Sequence, residues 1–374
     1  MKLDLNKAVT NVKEKVGTVK EKVGNMSASV KTSVKESVID MKEKVGNVSA
    51  SVKESVSDMK DKLVSVKDSV KERIVAERTY SGMDLIPDGR ASGNLTPGCL
   101  VLEGGAFRGL YTQGVLDYWM MHDLNISDVI GVSAGALSSA AYMSGQIGRS
   151  ARVNIGYRHD TNYIGVGAIR RAHSPINLDF LIHDYDQIEP LDLERFNDPR
   201  RRLVAVATDC DTGEPSYLER GKCSDMFQAM KATASMPFIA PMVELDGRHY
   251  LDGGCSCNVP YRWAIDQGYE KIVVVLTHDA TYKSDAEEKK TARRVYRRHQ
   301  TFAEVLDKSN IRYNFEYNEL YRLQKEGRIF IVQPSEVVTV GRVEGNLEKL
   351  GHLYWLGHKD AEASFEALKK YMGV

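Results

Sequence analysis

The positions of apolar residues divide the chain into two regions with different periods. From Val9 to Ile74, apolar residues recur in 18 steps across 65 residues, a mean spacing of 3.6 residues. This is the α-helical period, so residues 1–79 are predicted to form a long amphipathic helix with a narrow apolar face. After residue 98, short apolar runs alternate with helix-length segments. That alternation is typical of an α/β domain with a mainly parallel sheet.

Four apolar runs mark the predicted strands of the second region. They read CLVLEGG, VIGVSAG, RRLVAVATD and KIVVVLTHD, and a fifth run, RIFIVQP, interrupts a mostly helical C-terminal third. Between the two regions, residues 80–97 hold the first prolines and several glycines, as linkers do. The pattern therefore predicts a repeat over 1–79, a linker over 80–97, a domain core over 98–275 and a helical remainder of that domain over 276–374.

The N-terminal region is a degenerate repeat with a basic character. KVGNMSASVK at 22–31 recurs as KVGNVSASVK at 44–53, and residues 1–78 hold 17 basic against 12 acidic side chains. Lysines beside a narrow apolar stripe favour an anionic or loosely packed lipid surface. In this respect the segment is similar to the repeat helices of lipid-droplet coat proteins, synucleins and desiccation-protective proteins. A solvated spacer or a self-associating helix is the alternative, although a 3.6-residue period drifts out of a coiled-coil seam.

Composition narrows the classes of function that the chain can have. The formal net charge is zero, and no apolar span of about 18 residues or N-terminal secretory segment is found. We expect a cytoplasmic protein that is soluble or attached peripherally to a membrane or lipid-droplet surface. Cys255 and Cys257 are the only close cysteine pair among five cysteines, and histidines do not cluster. No metal site is therefore expected.

The second apolar run ends in a Gly-Val-Ser-Ala-Gly turn that points to a nucleophile. Ser133 stands between Gly131 and Gly135, after a predicted buried strand and before a predicted helix rich in small residues. A serine at such a sharp turn presents its hydroxyl at a helix N-terminus, where free N–H groups favour developing negative charge. The pentapeptide is short, and the same residues also occur in ordinary turns.

The first apolar run ends in a glycine-rich turn that allows two interpretations. Gly104, Gly105, Ala106, Arg108 and Gly109 lie between a predicted strand and an amphipathic helix. Such a turn could cradle a phosphate, as in dinucleotide-binding folds. Its N–H groups could instead form an oxyanion hole for an acyl tetrahedral intermediate. The nearby serine favours the oxyanion hole, and Arg108 could support the loop or attract a phosphate headgroup.

A candidate base follows another short apolar stretch, which is not one of the five runs above. In HYLDGG, Asp252 precedes Gly253 and Gly254, whose lack of side chains lets the backbone pass close to the serine turn. Asp252 could then take the proton of Ser133 directly. An ordinary Asp-Gly turn is the simpler alternative. A Ser-His-Asp triad is a second alternative, with His278 as its histidine and His249 as a further candidate.

Taken together and in this order, EGGAFRG, GVSAG and LDGG resemble the patatin-like phospholipase family over about residues 98–275. The resemblance implies a three-layer α/β/α sandwich and hydrolysis of the acyl esters of phospholipids or acylglycerols without metal or cofactor. It implies Ser133 as nucleophile and Asp252 as proton acceptor, with an oxyanion hole formed by Gly104, Gly105 and Ala106. Ala106 departs from the family pattern, in which a third glycine is frequent. A catalytically silent scaffold on a lipid surface is the non-enzymatic alternative.

A basic run follows the predicted core. Residues 287–306 carry six lysines and arginines at steps of three and four residues, which predicts one helix with a strongly positive face. Acidic residues bracket the run, and no recognition motif accompanies it, so no nucleic-acid partner is expected. A solvated helix face is the simplest interpretation, and contact with anionic headgroups is the second.

Overall fold

The computed structural model describes residues 35–36, 79–285 and 291–374. The predicted repeat helix over 1–79 lies outside the described residues, apart from the helical pair 35–36 and residue 79. Residues 78–374 form one compact unit.

In the described ranges 79–285 and 291–374, the chain forms a two-stranded ribbon and a mixed sheet of eight strands. The strands are β1 (Gly89–Arg90), β2 (Thr96–Leu102), β3 (Ile126–Val132), β4 (Gln146–Ile147), β5 (Leu203–Asp209), β6 (Pro215–Glu219), β7 (Val243–Leu245), β8 (Arg248–Asp252), β9 (Ile272–Val275) and β10 (Phe330–Val332). The five apolar runs of the sequence coincide with β2, β3, β5, β9 and β10.

The main sheet is mostly parallel. Its order is β10-β9-β2-β3-β5-β8-β7, with β6 also paired to β5. Strands β10, β9, β2, β3 and β5 are parallel, whereas β6, β8 and β7 add antiparallel pairs. The α/β class expected from the sequence is therefore confirmed, with an antiparallel extension at one side.

Helices cover both faces of the sheet. They are α1 (Gly109–Met121), α2 (Ala134–Met143), α3 (Arg149–Gly156), α4 (Val166–Ala172), α5 (Leu193–Phe196), α6 (Met226–Thr233), α7 (Tyr261–Asp266), α8 (Ala292–Val295), α9 (Gln300–Asp307), α10 (Ser309–Lys325) and α11 (Leu347–Met372). Alternate residues of β2 enter two separate cores. Leu100 and Leu102 pack with α1, α2 and α11, whereas Cys99 and Val101 pack with α7 and α10.

Two strand ends meet along one edge of β5. Val206 pairs with Val132 of β3, and the next residue, Ala207, pairs with Asp252 of β8. Because β6 occupies the opposite edge at both positions, β3 and β8 lie along the same edge. Strand β3 runs parallel to β5 and β8 antiparallel, so their carboxyl ends point toward each other. The sheet register thus brings together residues 133 and 252, which are far apart in sequence.

The predicted single helix over 287–306 is wrong. Helix α8 ends at Val295, and α9 begins only at Gln300, so the arginines of this run do not share one helix face. The break includes Tyr296, whose side chain packs edge-on against Phe302. Residues 286–290, which begin this run, lie outside the described residues.

In the described part of the chain, no helix is both long enough and apolar enough to cross a membrane.

Candidate active site

Ser133 occupies a strained turn between β3 and α2. Its φ is 53° and its ψ is −123°, a conformation that non-glycine residues rarely adopt and that recurs at functional sites. A Cβ at Gly135 would lie 2.6 Å from the carbonyl oxygen of Leu102, and one at Gly131 would lie 2.6 Å from the backbone nitrogen of Ala136. The turn therefore requires both flanking glycines.

The Ser133 side chain faces a carboxylate. Its Oγ donates a hydrogen bond of 2.7 Å to Oδ2 of Asp252, and only 7% of Ser133 is exposed. The Ser133 backbone N–H donates to Oγ1 of Thr233 at 2.9 Å, and that hydroxyl donates in turn to the Val206 carbonyl. The backbone of Ser133 is thus held by Thr233 of α6, which is itself bonded to β5, and the Ser133 hydroxyl points toward Asp252.

Asp252 is buried, and hydrogen bonds hold both its carboxylate and its backbone N–H. Its second carboxylate oxygen, Oδ1, accepts the N–H of Gly254 at 2.8 Å, and its own N–H donates to the Ser235 carbonyl at 2.8 Å. A Cβ at Gly253 would lie 1.9 Å from the Val206 carbonyl oxygen, so this glycine allows the chain to cross β5 closely. Burial raises the pKa of Asp252, while the Ser133 hydroxyl, the Gly254 N–H and the positive charge of Arg342 oppose that rise.

The glycine-rich loop lies against the serine. A Cβ at Gly104 would lie 3.1 Å from the Ser133 Cβ, and one at Gly109 would lie 2.9 Å from the Cβ of residue 134. In the part of the chain that the structure describes, no protein acceptor takes the N–H groups of Gly104, Gly105 or Ala106. Ala106 has a φ of 51°, a left-handed conformation that costs about 1 kcal/mol for a residue with a Cβ. The substitution of alanine for glycine here is thus accommodated at a cost in backbone strain.

A buried glutamate that sequence reasoning missed anchors this loop. Glu103 precedes Gly104 and accepts hydrogen bonds from Tyr313 at 2.7 Å, from Tyr317 at 2.9 Å and from the Thr277 N–H at 2.5 Å. The Thr277 hydroxyl lies 2.8 Å from the Gly104 carbonyl oxygen. Burial raises the pKa of Glu103, and these donors oppose the rise. Tyrosines four residues apart on α10 are visible in the sequence, but nothing in it links them to Glu103.

Arg108 lies at the end of the glycine-rich loop, directly before the first residue of α1. Its Nε atom is buried and has no hydrogen-bond partner among the residues that the structure describes. Burial lowers the pKa of Arg108, the Glu103 carboxylate opposes this, and the nearby positive charge of Arg342 adds to it. Arg108 is therefore positioned by packing and by electrostatic interaction with Glu103.

Neither candidate histidine joins the serine and the aspartate. His278 stacks on Tyr282 with ring centroids 3.6 Å apart, and burial lowers its pKa to about 3. His249 lies exposed on β8. Among the described residues, no histidine hydrogen-bonds to Ser133 or Asp252, and the two oxygens of Asp252 accept from Ser133 and Gly254.

A cavity of about 300 Å³ reaches the Ser133 side chain. Its walls are largely apolar and include Leu137, Val153, Leu178, Leu181, Met230 and Met236. Residues 163–193, for which the sequence predicts no elements, supply one wall, largely through loops and short helical turns. Their apolar residues are spread through a mostly polar stretch, so no single period identified them.

The fold and this geometry define an α/β domain with a serine–carboxylate pair at the carboxyl end of a parallel strand. Residues 100–265, which contain this pair and the glycine-rich loop, match the family described as patatin-like phospholipase. These residues therefore form a patatin-like phospholipase domain. Residues 299–373 match a separate family, described as a domain of unknown function, DUF6363. Tyr313 and Tyr317 belong to this second match.

Comparison with individual proteins gives two more findings. The chain is 32% identical over 183 residues to the uncharacterized protein YjjU of Escherichia coli K12, covering 48% of this chain and 51% of that protein. It thus spans about half the length of this curated relative. The crystal structure of VipD from Legionella pneumophila aligns with a TM-score of 0.41 and 13% identity, covering 73% of this chain and 67% of VipD.

Proposed function

We propose that the protein is a lipid acyl hydrolase that uses Ser133 and Asp252 as a catalytic dyad. The observation that carries the proposal is the 2.7 Å hydrogen bond between these residues at an apolar cavity in a patatin-like phospholipase domain. Phospholipids or acylglycerols are the proposed substrates, because the cavity can receive an acyl chain while the ester carbonyl stays at the serine.

The proposed reaction begins with proton transfer from Ser133 to Asp252 as Oγ bonds to the ester carbonyl carbon. The carbonyl oxygen becomes an oxyanion and accepts hydrogen bonds from the N–H groups of Gly104, Gly105 and Ala106. When the intermediate collapses, the alcohol leaves with the proton from Asp252 and an acyl-enzyme remains. Water then attacks the acyl carbon, Asp252 again accepts a proton, and the fatty acid is released as Ser133 regains its hydrogen.

The proposal is tested by incubating the purified full chain with phospholipids and acylglycerols and measuring released fatty acid by mass spectrometry. We expect release by the wild-type protein and none above background by Ser133→Ala. If no lipid in either class is hydrolysed by the wild-type protein, the catalytically silent alternative is favoured instead.

The cavity predicts selectivity for chain length. Leu181→Trp fills cavity space without altering the serine, so it should lower kcat/KM on long-chain esters about tenfold more than on butyrate esters. Ile188→Trp is the matched control, because Ile188 is exposed and does not line the cavity. Rates on a series of p-nitrophenyl esters measure the effect. Equal losses on short and long chains would contradict the proposed acyl site.

The buried base predicts an unusual acid limb in the pH profile. Catalysis needs ionised Asp252, whose pKa is raised above the ordinary 3.8 by burial. Turnover of a soluble ester should therefore fall with decreasing pH at a midpoint above 3.8. Arg342→Gln removes a charge that lowers this pKa, so its acid limb should move to still higher pH.

The control for this pH shift is Arg322→Gln, because Arg322 pairs with Glu326 at the surface of α10. Its acid limb should match that of the wild-type protein. Circular dichroism at each pH separates loss of activity from unfolding. An acid limb at or below pH 3.8, or one unmoved by Arg342→Gln, would show that Asp252 is not the base.

We also propose that residues 1–79 attach the enzyme to a membrane or lipid-droplet surface. The 3.6-residue apolar period and the excess of lysine support this role. Because neither Ser133 nor Asp252 belongs to this segment, attachment would raise the local concentration of lipid substrate without changing the chemical step.

A further inference from the structure

Two exposed apolar residues lie in the loop that follows α6. Phe238 is 50% exposed and Ile239 is 38% exposed. Phe238 has a φ of 71°, which is strained for a bulky residue. Its N–H donates to the Tyr296 hydroxyl at 2.7 Å, and the two rings lie 5.5 Å apart. The exposed position of Phe238 is thus imposed by a specific contact.

That contact brings the loop to a cluster of positive charge. Val295 precedes Tyr296 and is 57% exposed, and Arg294, Arg297 and Arg298 are also exposed. Among ion pairs between described residues, none includes these three arginines. The cluster is local, since the chain after residue 78 has 34 basic and 39 acidic residues. We call these six residues, Phe238, Ile239, Arg294, Val295, Arg297 and Arg298, the rim patch.

The loop that carries Phe238 and Ile239 also reaches the candidate active site. Ala234 and Met236, in the same loop, line the cavity that reaches Ser133. Between them, the Ser235 carbonyl accepts the N–H of Asp252 at 2.8 Å. One short loop therefore joins an exposed apolar surface, the cavity wall and the proposed base.

We propose that the rim patch docks the domain on an anionic lipid surface. Phe238, Ile239 and Val295 enter the interfacial region, where apolar side chains leave water, and the three arginines contact lipid phosphates. Docking in this orientation sets the cavity opening toward the acyl chains. The inference rests on the proposed function in one respect, since the docked lipid is taken to be the substrate. Docking itself is measured as vesicle binding, which does not require hydrolysis.

The test uses full-length protein and vesicles of phosphatidylcholine with or without phosphatidylglycerol. One variant replaces Arg294, Arg297 and Arg298 with Gln, and the other is Phe238→Asn, because asparagine tolerates positive φ. One control is Phe315→Asn, at another exposed phenylalanine, which lies on α10. The other replaces the exposed Lys325, Lys359 and Lys370 with Gln. All proteins keep residues 1–79, so a difference from the controls reports on the rim patch.

We expect the triple arginine variant to bind anionic vesicles about tenfold more weakly or worse in cosedimentation. Its binding should also depend less on salt. Phe238→Asn should weaken binding to both vesicle types, and both variants should keep the wild-type rate on a soluble short-chain ester. If wild-type protein hydrolyses no lipid but both variants still bind vesicles more weakly than the controls, the docking proposal stands and the proposed function fails.

Vesicle binding equal to that of the controls in both variants would overturn the docking proposal. So would a dimer in analytical ultracentrifugation that dissociates in both variants, because the rim patch would then be an interface between two copies of this chain.

Discussion

Ser133→Ala and Asp252→Asn should each lower ester hydrolysis by about a thousandfold or more, a loss of about 4 kcal/mol in transition-state stabilisation. The first change removes the nucleophile, and the second leaves an amide that cannot accept the serine proton. The double variant should lose little beyond either single variant, because both residues serve the same step. Steady-state rates on a soluble ester measure all three variants.

Folding should survive these changes. Because the folded-state pKa of Asp252 is raised, its ionised form costs stability at neutral pH, and a neutral amide removes that cost. The unfolding temperature of Asp252→Asn should therefore not fall. Asp246→Asn is the matched control, since Asp246 is an exposed turn residue with a φ of 50°, and its rate should be unchanged. Substantial turnover by Asp252→Asn would contradict the base assignment.

Gly105→Val should slow ester hydrolysis by roughly 100-fold, because misplacing the proposed oxyanion donor costs about 3 kcal/mol. A Cβ at this position would lie 2.8 Å from the Thr277 hydroxyl oxygen and 3.2 Å from the Arg108 Cβ. The loop would have to shift away from the contacts that fix it. The loss should fall on kcat more than on KM, since the oxyanion forms only after the substrate binds.

Gly93→Val is the control for this loop variant, because a Cβ at Gly93 would have no atom of the described residues within 4 Å. It should hydrolyse esters at the wild-type rate. Full activity of Gly105→Val would contradict the oxyanion hole. Nucleotide binding by the wild-type protein that Gly105→Val abolishes would favour the phosphate-cradle alternative.

The parallel strands could be predicted from sequence because burial on both faces gives them continuous apolar runs. Strands β2, β3, β5 and β9 coincide with such runs. The turns that follow β2 and β3 could also be predicted from the sequence, because segments of backbone that approach each other closely require glycine. These local signals place Ser133 and the glycine-rich loop at strand ends without knowledge of the sheet order.

The meeting of Ser133 with Asp252 depends on information that no local pattern contains. Three short antiparallel strands complete the arrangement: β6 and β8 pair with β5, and β7 pairs with β8. The family resemblance favours this pairing, whereas the residues alone leave open whether Asp252 is the base, a member of a Ser-His-Asp triad or an ordinary turn residue. The contacts of Glu103 with α10 span more than 200 residues, and for the same reason the sequence did not indicate them.

The basic run shows how tertiary contacts override a periodic pattern. Charges at steps of three and four residues predict a continuous helix. Instead, the Tyr296 hydroxyl accepts the N–H of Phe238, and its ring packs on Phe302. Tyr296 lies where the helix is broken, between α8 and α9, and its contacts join this segment to the loop after α6.

The proposal that Ser133 is an activated nucleophile is tested most directly with a fluorophosphonate probe. The probe phosphonylates an activated serine and loses fluoride, and mass spectrometry of the digested protein locates the adduct. We expect one adduct, on the peptide that contains Ser133. Labelling should be slow in Gly105→Val and Asp252→Asn and as fast as in the wild-type protein in His278→Ala. An adduct on another residue, or labelling lost in His278→Ala and retained in Asp252→Asn, would contradict the proposal.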